Sequence, residues 1–138
     1  MTKEEIMTAL RANPVCYLAT VEGDTPRVRG MRTYAFDERG ILIQTGSIKD
    51  LYKQLVKNPR VELCYNDNTS GAQIRVSGTA EFLEGQAIKE EVLKNRPFLK
   101  SLVATHGDDV IKVFRVAGAV ATVWTMATNL APKEYVTL

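Results

Sequence analysis

Residues 72–83, AQIRVSGTAEFL, alternate in polarity along their whole length. Ile74, Val76, Gly78, Ala80 and Phe82 fall on one face, and Gln73, Arg75, Ser77, Thr79 and Glu81 on the other. A period of two is that of a strand with one buried face and one face open to water or a ligand. Such a strand belongs in an antiparallel sheet, and the rest of the chain must supply its neighbours.

It does so in short segments. Val15 to Val21 (VCYLATV) is β-branched and apolar, as a buried strand is. Arg27 to Phe36 and Ile41 to Thr45 flank the turn Asp37-Glu38-Arg39-Gly40, which predicts a hairpin of antiparallel neighbours. Arg60 to Tyr65 reads as the next strand. Val110 to Val116 and Ala119 to Met126 are the last, with Ala117-Gly118 a bend or bulge between them. Helices are expected at the start (Thr2 to Asn13, with Thr2 and Glu5 as a capping box), from Ile48 to Asn58, and from Gly85-Gln86 to Asn95. A further helix opens at Pro97, with Phe98, Leu99, Leu102 and Val103 as its apolar side. The fold expected is mainly β (α+β), a six- to seven-stranded antiparallel sheet with peripheral helices. A sheet of that size exposes edges unless it closes into a barrel or pairs with a second copy.

A chain of 138 residues is expected to form one domain, residues 1–138. A net charge of +2 is too small to argue for nucleic acid, and no apolar run approaches a membrane span. The first residues carry acids and no apolar core, so no secretory signal is expected and the expected location is the cytoplasm. Cys16 and Cys64 lie in apolar segments and read as small core residues. His106 stands alone in a THGDD turn, which disfavours a metal site and a Ser-His-Asp arrangement.

The segment ILIQTGSIKDLYKQL holds the clearest candidate site. Ser47 is placed as a helix N-cap, Asp50 suits the helix dipole, and Ile48, Leu51, Tyr52, Leu55 and Val56 make one stripe. Thr45, Gly46, Ser47 and Lys49 then offer hydroxyls, backbone N–H groups and a cation at a helix start, a phosphate-binding arrangement. A Gly-Ser turn can also serve the helix alone. The strand before it places Arg27, Arg29 and Met31 on one face, and Val28, Gly30, Arg32, Tyr34 and Phe36 on the other. Those arginines form either a solvated, ion-paired face or an anion site shared with Lys49. Gly30 suggests a bulge or a close approach by a ligand.

Three blocks in order, ATVEGDTPRVRGMR, ILIQTGSIKDLYKQLVKNPRVELC and AQIRVSGTAEF, resemble the FMN-binding split β-barrel family related to pyridoxamine 5′-phosphate oxidase. The resemblance implies a split barrel that dimerises and holds two FMN molecules at the subunit interface. Thr45, Ser47 and Lys49 would hold the FMN phosphate, with Arg29 reaching it or the ribityl chain. The backbone of Gly30, Met31 and Arg32 would line the isoalloxazine edge. Gln73 would contact the flavin, and Trp124 would pack near the ring from the partner subunit or serve the core. The family's oxidase has an Arg before the phosphate-binding Lys, where this chain has Ile48. It also has a C-terminal segment with Arg and His that grips pyridoxal phosphate, where this chain has NLAPKEYVTL. The resemblance therefore implies a general FMN-dependent oxidoreductase of the flavin- or nitro-compound reductase type rather than pyridoxamine phosphate oxidation. No side chain stands out as acid or base; Tyr34 and Arg32 are candidates by position alone. The alternatives are a non-catalytic flavin carrier or sensor, a split barrel binding a deazaflavin or haem (with His106 as the only axial ligand), or a structural dimer with no ligand.

Overall fold

The computed structural model describes residues 1–138. Helix α1 (Lys3–Ala12) starts at the expected capping box: Thr2 Oγ1 accepts from the Glu5 amide, and the Glu5 carboxylate accepts from the Thr2 amide. Strands β1 (Val15–Glu22), β2 (Thr25–Arg32), β3 (Ala35–Asp37) and β4 (Gly40–Gly46) lead to helix α2 (Asp50–Lys57). Then come β5 (Arg60–Asn66), β6 (Gln73–Leu83), α3 (Gln86–Asn95), α4 (Lys100–His106), β7 (Ile111–Trp124) and β8 (Val136–Thr137). All ladders are antiparallel, in the order β2-β1-β5-β6-β7-β4-β3, with β8 also pairing with β7. The sheet is eight-stranded and not closed, as in a split barrel.

Three segments differ from expectation. Arg27 to Phe36 is two strands, not one. At the break the Thr33 amide donates to Pro14 O (2.8 Å), while the next amide, Tyr34, donates to Leu42 O (2.8 Å). The backbone thus leaves the β1 side and joins β4 within one residue. β2 consequently pairs with β1, and only β3 forms the hairpin with β4. Residues 111–124 form one continuous strand rather than two, because the irregularity at Ala117-Gly118 is absorbed as a bulge. There Gly118 takes φ +61°, and the β6 register shifts between Ser77 and Thr79. Finally, β8 returns the chain end to the sheet through the Leu138 amide, which donates to Ala119 O.

Alternation on β6 buries Ile74, Val76, Gly78 and Ala80, as its sequence requires. They meet Leu18, Leu63, Tyr65, Ile41, Ile43 and Phe114 inside the barrel, with Ile6 and Leu10 of α1 at one end. A second cluster forms on the outside of β4 and β7, where Leu42, Ile111 and Val113 lie under Ile88, Val92 and Leu99. β4 is therefore apolar on both faces. Phe98 is exposed and takes no part.

Candidate functional site

α2 sits in the split between β1 and β4. Its buried residues are Leu51, Gln54 and Leu55, so the stripe is narrower than the spacing implies. Ile48 and Val56 point to solvent. Ser47 is not the N-cap: Lys49 holds that position with extended backbone and no side-chain capping bond. The Ser47 amide is not open: it donates to Val110 O (2.9 Å), which makes Gly46 and Ile111 the adjacent, non-hydrogen-bonded pair of the ladder and turns the Gly46 amide away from β7. The free donors lie one turn further on, in the first turn of α2, whose amides have no intrahelical partner.

β2 faces this helix start across a cavity of about 600 Å³. Arg27, Arg29, Gly30 and Met31 line it from β2, and Thr45, Lys49, Asp50, Leu51 and Gln54 from the β4–α2 side. The arginine strand and the Thr45–Lys49 turn thus meet across the split, not as hydrogen-bonded neighbours. Gly30 is in unbroken register with Tyr17, so there is no bulge at this glycine. A Cβ there would meet only Tyr17, at 4.0 Å.

Thr45 is 1% exposed, and its hydroxyl has no hydrogen-bond partner. A buried hydroxyl left unpaired costs about 1–3 kcal/mol, which an acceptor entering the cavity recovers. Arg29 is held from behind: Nη1 donates to Leu18 O (3.2 Å) and Thr20 Oγ1 (2.8 Å), and Nη2 to Gln54 Oε1 (2.6 Å). Of a guanidinium's five N–H groups two are left, one on Nη2 and one on Nε. Burial lowers the Arg29 pKa, opposed by Asp50, yet arginine stays cationic. Arg27 pairs with Glu22 (3.0 Å), which pulls the Glu22 carboxyl below its ordinary range; Gln54 Nε2 adds a bond of 3.3 Å. Three cations (Arg27, Arg29, Lys49) therefore face two carboxylates (Glu22, Asp50), one already paired. Sequence reasoning missed Thr20, Glu22 and Gln54. The one available signal was Gln54 itself, a polar residue between Leu51 and Leu55 on an apolar stripe.

Arg32 lies elsewhere. Val28, Gly30 and Arg32 are on the outer, exposed face of β2, and Arg32 lines a second cavity of about 530 Å³ with Arg11, Arg96, Tyr34 and Glu91. Tyr34 and Phe36 lie beyond the strand break and do not share its face. Tyr34 Oη donates to Glu91 (2.7 Å) and accepts from Asn95 (2.9 Å). Burial, more than its hydrogen bonds, raises its pKa, so it holds its proton and is a poor base. Arg96 stacks on the Tyr34 ring and donates to Gln44 and Thr33 O.

Gln73 and Trp124 are cross-strand partners where β6 begins and β7 ends, whereas the Thr45-Gly46 turn pairs with the opposite end of β7 at Ile111 and Lys112. Trp124 is outside both core clusters, and its indole donates to Asn129 (2.8 Å). It borders a third cavity of about 420 Å³ together with Arg75. One chain therefore assembles Arg29, Gly30, Met31, Thr45 and Lys49, has Gly46 and Ser47 in the adjoining turn, and leaves Arg32, Gln73 and Trp124 apart. His106 ends α4, exposed, rather than sitting in a turn.

Comparison with curated proteins finds no match. Among solved structures, a NimC/NimA family protein from Clostridium acetobutylicum is 27% identical, with a TM-score of 0.78 over 98% of this chain and 92% of that one. General stress protein 26 from Bacillus anthracis is 20% identical, with a TM-score of 0.71 over 99% and 98% of the two chains. A pyridoxamine 5′-phosphate oxidase-related, FMN-binding protein from Nostoc punctiforme shares 14% identity, with a TM-score of 0.62 over 96% and 88%. The family model described as pyridoxamine 5′-phosphate oxidase matches residues 2–126, nearly the whole barrel, and the chain belongs to that family.

Proposed function

We propose that the protein is an FMN-binding flavoprotein, working as a homodimer, that passes hydride or electrons between the flavin and a small substrate. The observation that carries this reading is the unpartnered Thr45 hydroxyl, buried in a cavity with Lys49 and the two free donors of Arg29. A phosphate monoester supplies the acceptors these groups lack and the charge they balance. The Nostoc relative, described as FMN-binding, agrees with this choice. When bound, FMN supplies the redox chemistry, and the chain's own residues anchor and orient it. Ser47 borders the phosphate position, and the β2 backbone at Gly30 to Arg32 borders the ring.

Dimerisation would complete the site. Val15, Tyr17 and Val28 are more than half exposed on the outer face of β1 and β2, an unusual place for such residues unless another surface covers them. The same sheet carries Gln73 and Trp124 on β6 and β7, and a second copy would bring them to the flavin. The cavity holding Arg32, Arg11 and Arg96 suits a small anionic substrate. Haem is disfavoured, since His106 lies outside every cavity described above.

A titration tests the phosphate site. Lys49→Ala combined with Ser47→Ala should weaken FMN binding at least tenfold, roughly the value of one or two charge-assisted hydrogen bonds, with the fold intact. Unchanged affinity would remove this site. Oxidation of a reduced nicotinamide by the FMN-loaded protein with an electron acceptor separates an enzyme, which turns over, from a flavin carrier, which does not.

A further inference from the structure

We propose that Gln54 is the positioning residue of the phosphate cavity, and that through it the site prefers phosphorylated over unphosphorylated flavin. This role presupposes FMN binding at that cavity. Gln54 is 5% exposed on α2, in the middle of a hydrogen-bond chain that ties three elements together. Its Oε1 accepts from Arg29 Nη2 and from Thr20 Oγ1, both at 2.6 Å. Two donors converging on one atom fix that atom as the oxygen, since an amide NH₂ there would face a guanidinium. Its Nε2 is thereby aimed at Glu22, which in turn pairs with Arg27. One side chain thus holds Arg29 directly and Arg27 through Glu22.

The chemistry explains why a glutamine stands on an apolar stripe. A leucine would pack as well, but would leave Thr20 and Arg29 each short of an acceptor inside the barrel wall. A glutamate would satisfy both, but would set a second negative charge beside Glu22 and in the path of an incoming phosphate. A neutral side chain with one acceptor and one donor satisfies all three partners. It leaves the cationic character of the cavity intact, and the two remaining Arg29 donors stay pointed by the three that are tied. Riboflavin, which lacks the phosphate, has nothing to gain from that order.

The experiment is a pair of titrations, FMN and riboflavin, into flavin-free wild-type protein, Gln54→Met and Gln54→Glu, read by flavin fluorescence. Wild type is expected to bind FMN well above riboflavin. Gln54→Met should lower FMN affinity about tenfold, near the value of one charge-assisted hydrogen bond, with riboflavin affinity unchanged. Gln54→Glu keeps the size and the acceptors, so it decides the matter if the Met variant melts early. It should bind FMN poorly while its riboflavin affinity stays near that of wild type, since the added negative charge opposes only the phosphate. A preserved FMN-to-riboflavin ratio in both variants would overturn the positioning role while leaving FMN binding in place. Wild type that takes up no FMN would overturn the flavin function and this role together.

Discussion

Thr45 sets stability against the proposed flavin binding at a single atom. Its buried hydroxyl has no partner in the free chain, so Thr45→Val removes an unsatisfied donor at nearly constant volume. The variant should be as stable as wild type or more so, by up to about 1–2 kcal/mol in urea unfolding, yet weaker in binding FMN. A loss of stability with unchanged binding would show that the hydroxyl serves the fold. The two cysteines differ in the same testable way. Burial, opposed by hydrogen bonds with Tyr65 and Thr33, raises the Cys16 thiol to about 11, whereas Cys64 is half-buried with a smaller rise. An alkylating reagent at pH 8 should label Cys64 first. The Cys16 value lies above its ordinary 9.0, so its contribution to stability is intact below pH 9.0 and is lost as pH climbs through about 11. At this scale the gathering of Thr45, Lys49 and Arg29 around one cavity was legible, because they belong to one turn and one strand that the sequence sets near each other. Gln54 was hidden, since its partners Thr20 and Arg29 lie 34 and 25 residues away.

The elements were legible where one periodicity ruled and misread where pairing overrode it. β6 and α3 sit where their patterns place them, β6 one residue shorter than read at its start. Arg27 to Phe36 looks like one strand because nothing in RVRGMRTYAF marks the exchange of partners at Thr33, which is a tertiary event. Ser47 looks like a cap, but its amide is drawn into a bond with Val110, a residue distant in sequence. The bulge at Gly118 of β7, opposite Gly78, makes a sharp demand on β6. A Cβ on Gly78 would lie 2.6 Å from Val116 Cγ1 and 2.8 Å from the Ala117 carbonyl oxygen. Gly78→Ala should therefore destabilise the protein by about 1–3 kcal/mol or more, as overpacking against backbone does. A midpoint unchanged in urea would mean that β7 can shift away without cost.

A single chain brings together only part of the proposed site. Its two sheet ends, β2 and β3, are joined through Thr33-Tyr34 and leave a split that α2 fills from one side only. The cationic cavity opens there, while Gln73 and Trp124 lie on the middle strands β6 and β7, at the end of β7 opposite its pairing with Gly46. A second copy covering Val15, Tyr17 and Val28 would unite them. Tyr17→Arg with Val28→Asp should convert a dimer to monomers in sedimentation and weaken flavin binding in parallel; a wild-type monomer would contradict the shared site. No helix is long and apolar enough to cross a membrane. Family membership was readable from three sequence blocks, but where Gln73 lies relative to Thr45 and Lys49 within one chain was not, because it depends on the long-range pairing of β6, β7 and β4. The most direct measurement is the absorbance spectrum of the freshly purified protein, followed by heat release and identification of any chromophore. Oxidised-flavin bands with released FMN are the expected result. A colourless protein that also fails to take up added FMN would contradict the flavin site at Thr45, Lys49 and Arg29.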